Sequence, residues 1–438
     1  MKLAGSLPPA LLLLQAANAL TYKSAGEAPS DKLTKRVVSA ADAGGQTGVL
    51  AGLLADKPKK PAPKTEDQLR ASLASIWSSS STNFYVGIKA QIDVNISLSD
   101  ISADIVAPYT SLGSTNNNKP RNPKTAIYPQ KSESDAPYSI PEASLRSAIF
   151  IPSTFTYGQK PPLIFVPGTG VYGGELFAPN LLKLLSDSPH ADPVWLNVPG
   201  ALPADAQSNA EYVAYAINYI SLITANSNGG LDAQWAFTFW PSMRGVVTDF
   251  VAVSPDFHGT VLAPALCLSP GKTDLNPCPP SVIQQEYDSA FVATLRARGG
   301  ADAYVPTTTV YSGFFDEIVE PQQGVIASAF LRDGRRVGVT NVEAQTACFG
   351  RPAGGFHGHA GMLFSPLTAA LVVDALSHTG PASLERVDLG SVCGSYVAPG
   401  LTVEDASATA GQIVTAGVRL LAYQPRLTRE PGLRSYAL

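Results

Sequence analysis

The sequence predicts an α/β protein with a mostly parallel central sheet flanked by helices, preceded by an N-terminal extension. The first observation is a series of apolar runs, at 148–152, 162–166, 194–198 and 250–253, with a further strand pattern at 305–311. Runs of this kind, rich in β-branched residues, are typical of strands buried on both faces of a parallel sheet. The second observation is that stretches with helical periodicity separate the runs, as at 213–220. Strands that alternate with helices favour a parallel sheet.

The composition fits one large domain plus an extension. Of the 438 residues, 45% are hydrophobic and 15% are charged, which is enough to bury a large core. The formal net charge is -4, and lysine and arginine form no long cluster, so a nucleic-acid partner is not expected. The sequence has no Cys-x-x-Cys motif or histidine cluster with zinc-site spacing, so it implies no metal.

The N-terminus predicts export. Residues 1–19 combine an early lysine, an apolar stretch and a small-residue ending, the pattern of a secretory signal peptide. Lys35-Arg36 matches a dibasic processing site, which would make 20–36 a propeptide and Val37 the mature N-terminus; a chance dibasic pair is the alternative. Because no later segment supplies ~20 uninterrupted apolar residues, we expect a secreted chain without an integral membrane segment.

Four cysteines in an exported chain predict two disulfides. A bond between Cys267 and Cys278 would close a short proline-rich loop. A bond between Cys348 and Cys393 would tie two C-terminal segments together. Four cysteines allow three pairings, and the sequence alone does not choose among them.

Residues 37–140 form the predicted N-terminal extension, and 141–438 form the main domain. Short helices are expected at 42–55 and 66–77, with a proline-rich break between them. From 113 to 138 the chain is rich in Asn, Ser, Lys and Pro, which predicts an exposed and partly disordered linker. This extension carries no motif with an evident chemical role.

Polar residues follow several predicted strands, at the sheet edge where ligands bind in open α/β folds. Thr169 lies in the glycine-rich turn after 162–166, where its hydroxyl and the backbone could donate to an oxyanion. Ser227 has small residues two positions before and after it, and a helical pattern follows at 231–240, as in a nucleophile elbow. Asp316 follows the strand at 305–311, and His359 lies in a glycine-rich loop. The order Ser, Asp, His is that of α/β-hydrolases.

Each of these motifs also has an ordinary structural interpretation. A serine beside asparagine and two glycines is commonly a surface loop, and a single histidine is commonly a surface residue. The apolar stripe at 413–421 could be core packing or one wall of an acyl pocket. Capping boxes are predicted at Ser208 to Glu211 and at Thr402 to Asp405.

The chain resembles the fungal lipase B family from about residue 145 to its end. The matching segments are 166–170, 209–212, 229–231, 233–235, 254–256, 259–263, 316–319, 321–322 and 359–361. The resemblance implies an α/β-hydrolase fold and a secreted, cofactor-free serine hydrolase of carboxylic esters, including acylglycerols. It places Asp316 and His359 on the family's acid and base and Thr169 on its side-chain oxyanion donor. Ile318 and Val319 fall where the family lines the alcohol side of its pocket.

The chain departs from the family at the nucleophile, because only 16 residues separate Tyr212 from Gly229, fewer than in the family. In one alignment Ser227 and Asn228 replace the family's Ser-Gln pair, Asn228 supplies an oxyanion N–H, and 220–224 is the central strand. In the other, 224–228 is a loop and the strand with its serine is missing, as an exon-prediction error or a true deletion would produce. If the preceding helix continues through Ile220, too few residues remain for a strand and a turn.

Two functions are therefore expected. The first is hydrolysis of a lipid or small ester by a Ser-His-Asp triad through an acyl-enzyme, in a monomer that contacts a lipid-water interface transiently. The alternative is a lipase-fold protein that lacks its nucleophile strand and at most binds acyl chains.

Overall fold

The computed structural model describes residues 52–53, 55–80, 84–96, 113, 121–123, 125–223, 231–267 and 277–438. The predicted signal peptide and propeptide lie outside these ranges, as does most of the helix predicted at 42–55. The helices are α1 Glu66–Ser80, α2 Phe84–Asp93, α3 Glu142–Ser147, α4 Gly173–Phe177, α5 Leu181–Leu185, α6 Ala206–Ile223, α7 Leu231–Phe239, α8 Ala263–Cys267, α9 Pro280–Gln284, α10 Ala290–Leu295, α11 Ala344–Ala347, α12 Pro366–Ser377, α13 Leu389–Val392, α14 Val403–Ala410 and α15 Gln412–Ala422. The strands are β1 Ile149–Phe150, β2 Pro162–Phe165, β3 Asp192–Leu196, β4 Phe250–Val253, β5 Thr307–Tyr311 and β6 Val339–Glu343.

The first sheet has the strand order β1-β3-β2. Every residue of β2 and β3 is buried, as their continuous apolar runs predict. The two strands are parallel, with Ile164 opposite Val194, and β1 pairs antiparallel with the other edge of β3. The second sheet has the order β4-β5-β6 and is entirely parallel, with Val253 opposite Val310. The prediction of a mostly parallel sheet flanked by helices is confirmed.

β2 and β4 are each the end strand of their sheet within the described residues. Both strands line a single cavity of about 270 Å³ that lies between the two sheets. We call this space between β2 and β4 the strand gap. The main core packs beside it and contains Ile164 and Ala252 together with large aromatic residues such as Trp235 and Phe291.

The helix α6 runs through Ile223, so the alignment that makes 220–224 the central strand is wrong for the described residues of that stretch. The predicted capping box at Ser208 and Glu211 is also wrong. Asp205 caps this helix instead, because its Oδ1 accepts from the N–H of Gln207 at 3.0 Å. α7 begins at Leu231, as predicted.

Glu211 has a different role, as a buried carboxylate that joins distant parts of the chain. Its Oε2 accepts from the N–H of Ser139 at 2.7 Å and from that of Ile140 at 3.0 Å. Its Oε1 accepts from the Arg434 guanidinium at 2.9 Å. The glutamate is fully buried, so these partners replace the water that it loses on folding.

The N-terminal helices pack against the C-terminal ones. Leu69 and Ile76 of α1 share a buried cluster with Ala406 of α14, and Ile88 of α2 shares another with Val414 of α15. The predicted capping box at Thr402 and Asp405 is present and begins α14. This helix is therefore capped as the sequence predicts, whereas α6 is not.

The expectation of an exposed linker at 113–138 is wrong for its C-terminal part. Ile127 and Tyr138 are buried in the main core, where the Tyr138 ring stacks on that of Trp240 with centroids 5.9 Å apart. Residues 114–120 and 124 lie outside the described ranges. Large apolar side chains spaced among polar ones allow this segment to pack although most of its residues are polar.

A disulfide joins Cys348, just after α11, to Cys393, just after α13. Cys278 is also disulfide-bonded, while the side chain of its expected partner Cys267 lies outside the described part of the structure. The disulfide between Cys348 and Cys393 links the two ends of the segment that contains His359.

Candidate active site

Asp316 lies in the loop that follows β5 and is 1% exposed. Its Oδ1 accepts hydrogen bonds from the N–H groups of Ile318 at 3.0 Å and Val319 at 2.8 Å. These bonds fix the carboxylate at the carboxyl end of the sheet. The turn that follows Asp316 therefore both holds it and supplies the two apolar residues that the family resemblance places in the pocket.

His359 faces this carboxylate. Its Nδ1 lies 3.1 Å from both carboxylate oxygens of Asp316. An N–H on Nδ1 leaves Nε2 as the ring nitrogen that can accept a proton. The main chain of His359 is also held, because its N–H donates to Glu317 Oε2 at 2.9 Å and its carbonyl accepts from Ser254 Oγ at 3.2 Å. Ser254 directly follows β4 and has a φ of 48°, a strained backbone conformation for a serine and one often found at functional sites.

The charges around His359 favour its protonated form. Burial lowers the pKa of the imidazole, but the charge and hydrogen bond of Asp316 and the carboxylates of Glu317 and Asp256 outweigh burial. Together they raise the pKa of His359 to about 9. With this pKa, the imidazole of His359 carries a proton at neutral pH.

The pKa values of three further carboxyl groups in or beside this cavity are raised. Burial, with the charges of Asp256 and Asp205, raises the pKa of Asp232 to about 8. Burial raises the pKa of Asp256 to about 6 although the His359 charge opposes it. Burial and the charge of the neighbouring Asp316 raise the pKa of Glu317. Clusters of groups with shifted pKa values are common at functional sites.

Thr169 lies in the turn after β2 and lines the same cavity as His359 and Asp256. Its Oγ1 accepts a hydrogen bond from Gln285 Nε2 at 3.0 Å. With one lone pair occupied, the hydroxyl hydrogen of Thr169 is oriented away from Gln285 and can be donated to a ligand. Gly170 follows with a φ of 91°, and a Cβ there would lie 2.8 Å from the backbone of Ala416. Only glycine allows the turn to approach α15 this closely.

The cavity next to these groups is mainly apolar. Ile318 and Val319 line it, together with Leu163, Phe165, Val251, Val253, Phe291, Leu363, Val372, Ile413, Ala416, Leu420 and Phe84. The predicted stripe on α15 divides between the two interpretations. Ile413 lines the cavity, whereas Val414 and Leu421 pack against α2.

Ser227 and Asn228 lie outside the described residues, so the structure brings together Asp316, His359, Thr169, Ile318 and Val319 but does not place these two. Sequence analysis did not identify the contributions of Asp232, Gln285 and Phe84. Gln285 follows a short helix and carries no motif. Glu317 could have been recognised in the sequence because it directly follows the predicted site residue Asp316.

In the described part of the chain, no group of three or more His, Cys, Asp or Glu side chains is placed to hold a metal ion. Of the helices described, none is long and apolar enough to cross a membrane.

A mostly parallel sheet flanked by helices, with an acid and a histidine paired at the carboxyl ends of its strands, defines the chain as an α/β-hydrolase. No family model matches it. It is 35% identical over 319 residues to lipase B of Pseudozyma antarctica, covering 70% of this chain and 87% of that protein. The crystal structure of Aspergillus fumigatus lipase B matches with a TM-score of 0.80 and 41% identity, covering 93% of this chain and 100% of that one. The chain belongs to the fungal lipase B family.

Proposed function

We propose that this protein is a secreted lipase or esterase that cleaves carboxylic esters of the acylglycerol type through a Ser-His-Asp triad. The observation that carries the proposal is the pair formed by Asp316 and His359, 3.1 Å apart beside an apolar cavity. In this mechanism His359 takes the proton of the serine while Asp316 holds the ring and stabilises the imidazolium. The serine attacks the ester carbonyl, the alcohol leaves with the proton from His359, and water then hydrolyses the acyl-enzyme.

Thr169 is the proposed side-chain donor to the oxyanion of the tetrahedral intermediate. The Thr169 hydroxyl oxygen accepts a hydrogen bond from Gln285, so the hydroxyl hydrogen can be donated to the substrate oxygen. This bond becomes stronger as negative charge develops on that oxygen. Ile318 and Val319 line the cavity beside Asp316 and would contact the alcohol part of the ester. The remaining apolar lining suits an acyl chain.

Ser227 is the proposed nucleophile, and the N–H of Asn228 is the proposed second oxyanion donor. The support for this assignment is the short length of chain between Ser227 and α7. Ser227 precedes Leu231, the first residue of α7, by four positions, and Asp232 lines the same cavity as His359. Four residues span at most ~14 Å, so this tether limits how far Ser227 can lie from Leu231 and supports its proposed role.

The signal pattern at 1–19 and the disulfides support export. The exported protein is proposed to act as a monomer that meets its lipid substrate at the lipid-water interface.

The strand gap favours a second candidate function. In it, the chain is a family member that lacks its nucleophile strand and does not hydrolyse esters. α6 ends at Ile223 and α7 begins at Leu231, which leaves seven residues, 224–230, between them. A strand of about five residues with a turn at each end needs more than that. In this candidate the chain binds at most an acyl chain in the cavity.

Labelling of the full secreted chain with a fluorophosphonate ester, followed by peptide mapping, distinguishes the two candidates. Label on Ser227, lost in Ser227→Ala and in His359→Asn but kept in the matched control Ser221→Ala, would support the triad. Circular dichroism establishes that each sample is folded. Absence of label on folded wild-type protein would exclude hydrolysis by this chain and favour the second candidate.

A further inference from the structure

The strand gap is lined by residues from both faces of the two sheets. Along β2 and β4, alternate residues belong to two different clusters. Phe165 and Val253 pack in a cluster with Val372, whereas Ile164 and Ala252 pack in the main core. Alternate residues of a strand point to opposite faces of a sheet, so these clusters are its two faces. Residues of both sets line the cavity, which therefore opens to both faces at once.

The edge of β4 presents backbone donors to this gap. The N–H groups of Phe250 and Ser254 donate to Pro306 and Val310 on the β5 side, both at 2.9 Å. Because successive N–H groups alternate between the two sides of a strand, those of Val251 and Val253 point the other way, toward β2. No described strand pairs with that edge of β4. Backbone N–H groups of folded proteins are usually hydrogen-bonded, so a strand that paired with this edge would satisfy both donors.

The carboxyl ends of β2 and β4 lie at the same end of the gap. Thr169, after β2, and Ser254, at the end of β4, both line the cavity together with His359. Both strands are four residues long. A polypeptide of about this length could pair with both at once and run parallel to them.

We propose that the strand gap is a binding site for an extended apolar peptide strand, which joins the two sheets by pairing with β2 and β4. An acyl chain would fill the apolar volume but would leave the N–H groups of Val251 and Val253 without acceptors. A peptide places carbonyl groups opposite these donors and alternate side chains into the two apolar faces. Strand addition of this kind draws affinity from main-chain hydrogen bonds and specificity from the pockets for side chains.

The test uses the full chain and a soluble probe, the peptide acetyl-Lys-Thr-Val-Ile-Val-Thr-Lys-amide. A ligand that binds only the folded chain raises its unfolding temperature in a concentration-dependent manner. Hydrogen exchange at the amides of Val251 and Val253 should slow by about tenfold or more at saturation, because both become hydrogen-bonded. The readout is binding, so it is independent of whether the chain hydrolyses esters.

The matched control is the same peptide with N-methyl groups on all five central residues, which keeps the apolar side chains but blocks main-chain pairing on both edges of the peptide. Decanoate is the probe for an acyl chain. Slowed exchange with the unmodified peptide alone supports the proposal. Equal protection by the methylated peptide or by decanoate, or no protection by the unmodified peptide, overturns it.

Discussion

Glu317 and His359 are joined by a hydrogen bond from the histidine N–H to the glutamate Oε2, at 2.9 Å. The residue before Glu317 is Asp316, which binds the imidazole ring, so two consecutive acids hold the main chain and the side chain of one histidine. Gly358 makes this approach possible, because a Cβ at that position would lie 2.5 Å from Glu317 Oε2. The loop with Asp316 and Glu317 and the loop with His359 thus form one hydrogen-bonded junction.

This junction predicts the pH dependence of activity. The pKa of His359 is about 9, so in the proposed mechanism kcat/KM should rise with pH until the histidine has lost its proton, near pH 9. Glu317→Gln keeps an oxygen acceptor for the His359 N–H but removes a negative charge that raises this pKa. The pH profile and the pKa of His359, measured by NMR titration, should both move to lower pH. Glu320→Gln is the control, and an unchanged His359 pKa in Glu317→Gln would contradict the prediction.

Thr169 provides a second prediction. Thr169→Val has nearly the same shape but no hydroxyl, and loss of one oxyanion donor typically lowers kcat by about 10²- to 10³-fold. Thr169→Ser keeps the donor and should lose much less. Steady-state kinetics with a soluble p-nitrophenyl ester provide the comparison. A Val variant as active as the Ser variant would show that the hydroxyl does not bind the oxyanion.

Asp232 makes folding stability depend on pH. Its pKa is raised to about 8 in the folded chain, compared with about 3.9 in an unfolded chain. The folded state therefore holds a proton that the unfolded state releases, so the free energy of unfolding falls as pH rises from about 4 to about 8. Asp232→Asn removes this contribution.

Urea unfolding of Asp232→Asn should show a shallower decline with pH, and the variant should be more stable than wild type at pH 9. Each unit of raised pKa corresponds to about 1.4 kcal/mol before solvent in the cavity reduces the effect. Asp67→Asn, at an exposed position in α1, controls for the loss of a charge. Parallel pH profiles of Asp232→Asn and wild type would contradict the prediction.

The disulfide between Cys348 and Cys393 spans 45 residues of sequence that include His359. Replacing both cysteines by alanine should lower the free energy of unfolding by roughly 3–4 kcal/mol, because the unfolded chain regains the freedom of a loop of this length. Urea denaturation under non-reducing conditions measures the loss. Ser391→Ala, in the neighbouring turn, should leave stability nearly unchanged, and equal stability of the two variants would refute the argument.

The sequence was most informative where a signal is local. β2 and β4 could be recognised because they are apolar over their whole length, as is typical of strands buried in parallel sheets. β3 and β5 could be recognised from their β-branched and aromatic residues, although β3 begins with Asp192 and β5 contains three threonines. β6 was missed because Val342 is its only fully buried residue, while Thr340 and Asn341 are polar. Asp316, with its neighbours Ile318 and Val319, belongs to one short motif, and its position after a strand was readable.

Contacts between distant segments could not be predicted. Ser208 and Glu211 have capping-box spacing, but Glu211 binds Ser139 and Arg434 instead, 72 and 223 residues away. Gln285 reaches Thr169 across 116 residues, and no local pattern indicates this hydrogen bond. Such partners are fixed by the packing of the whole chain.

α2 packs against α15, and its first residue, Phe84, lines the same cavity as His359. A segment without any chemical motif of its own therefore forms part of the chamber that an ester would enter. Trimming the chain to residues 145–438 would remove this aromatic residue from the lining of the chamber. The shortened protein would then have a differently lined cavity and a different substrate selectivity. Substrate profiles should therefore be compared only between proteins that share the same N-terminal boundary.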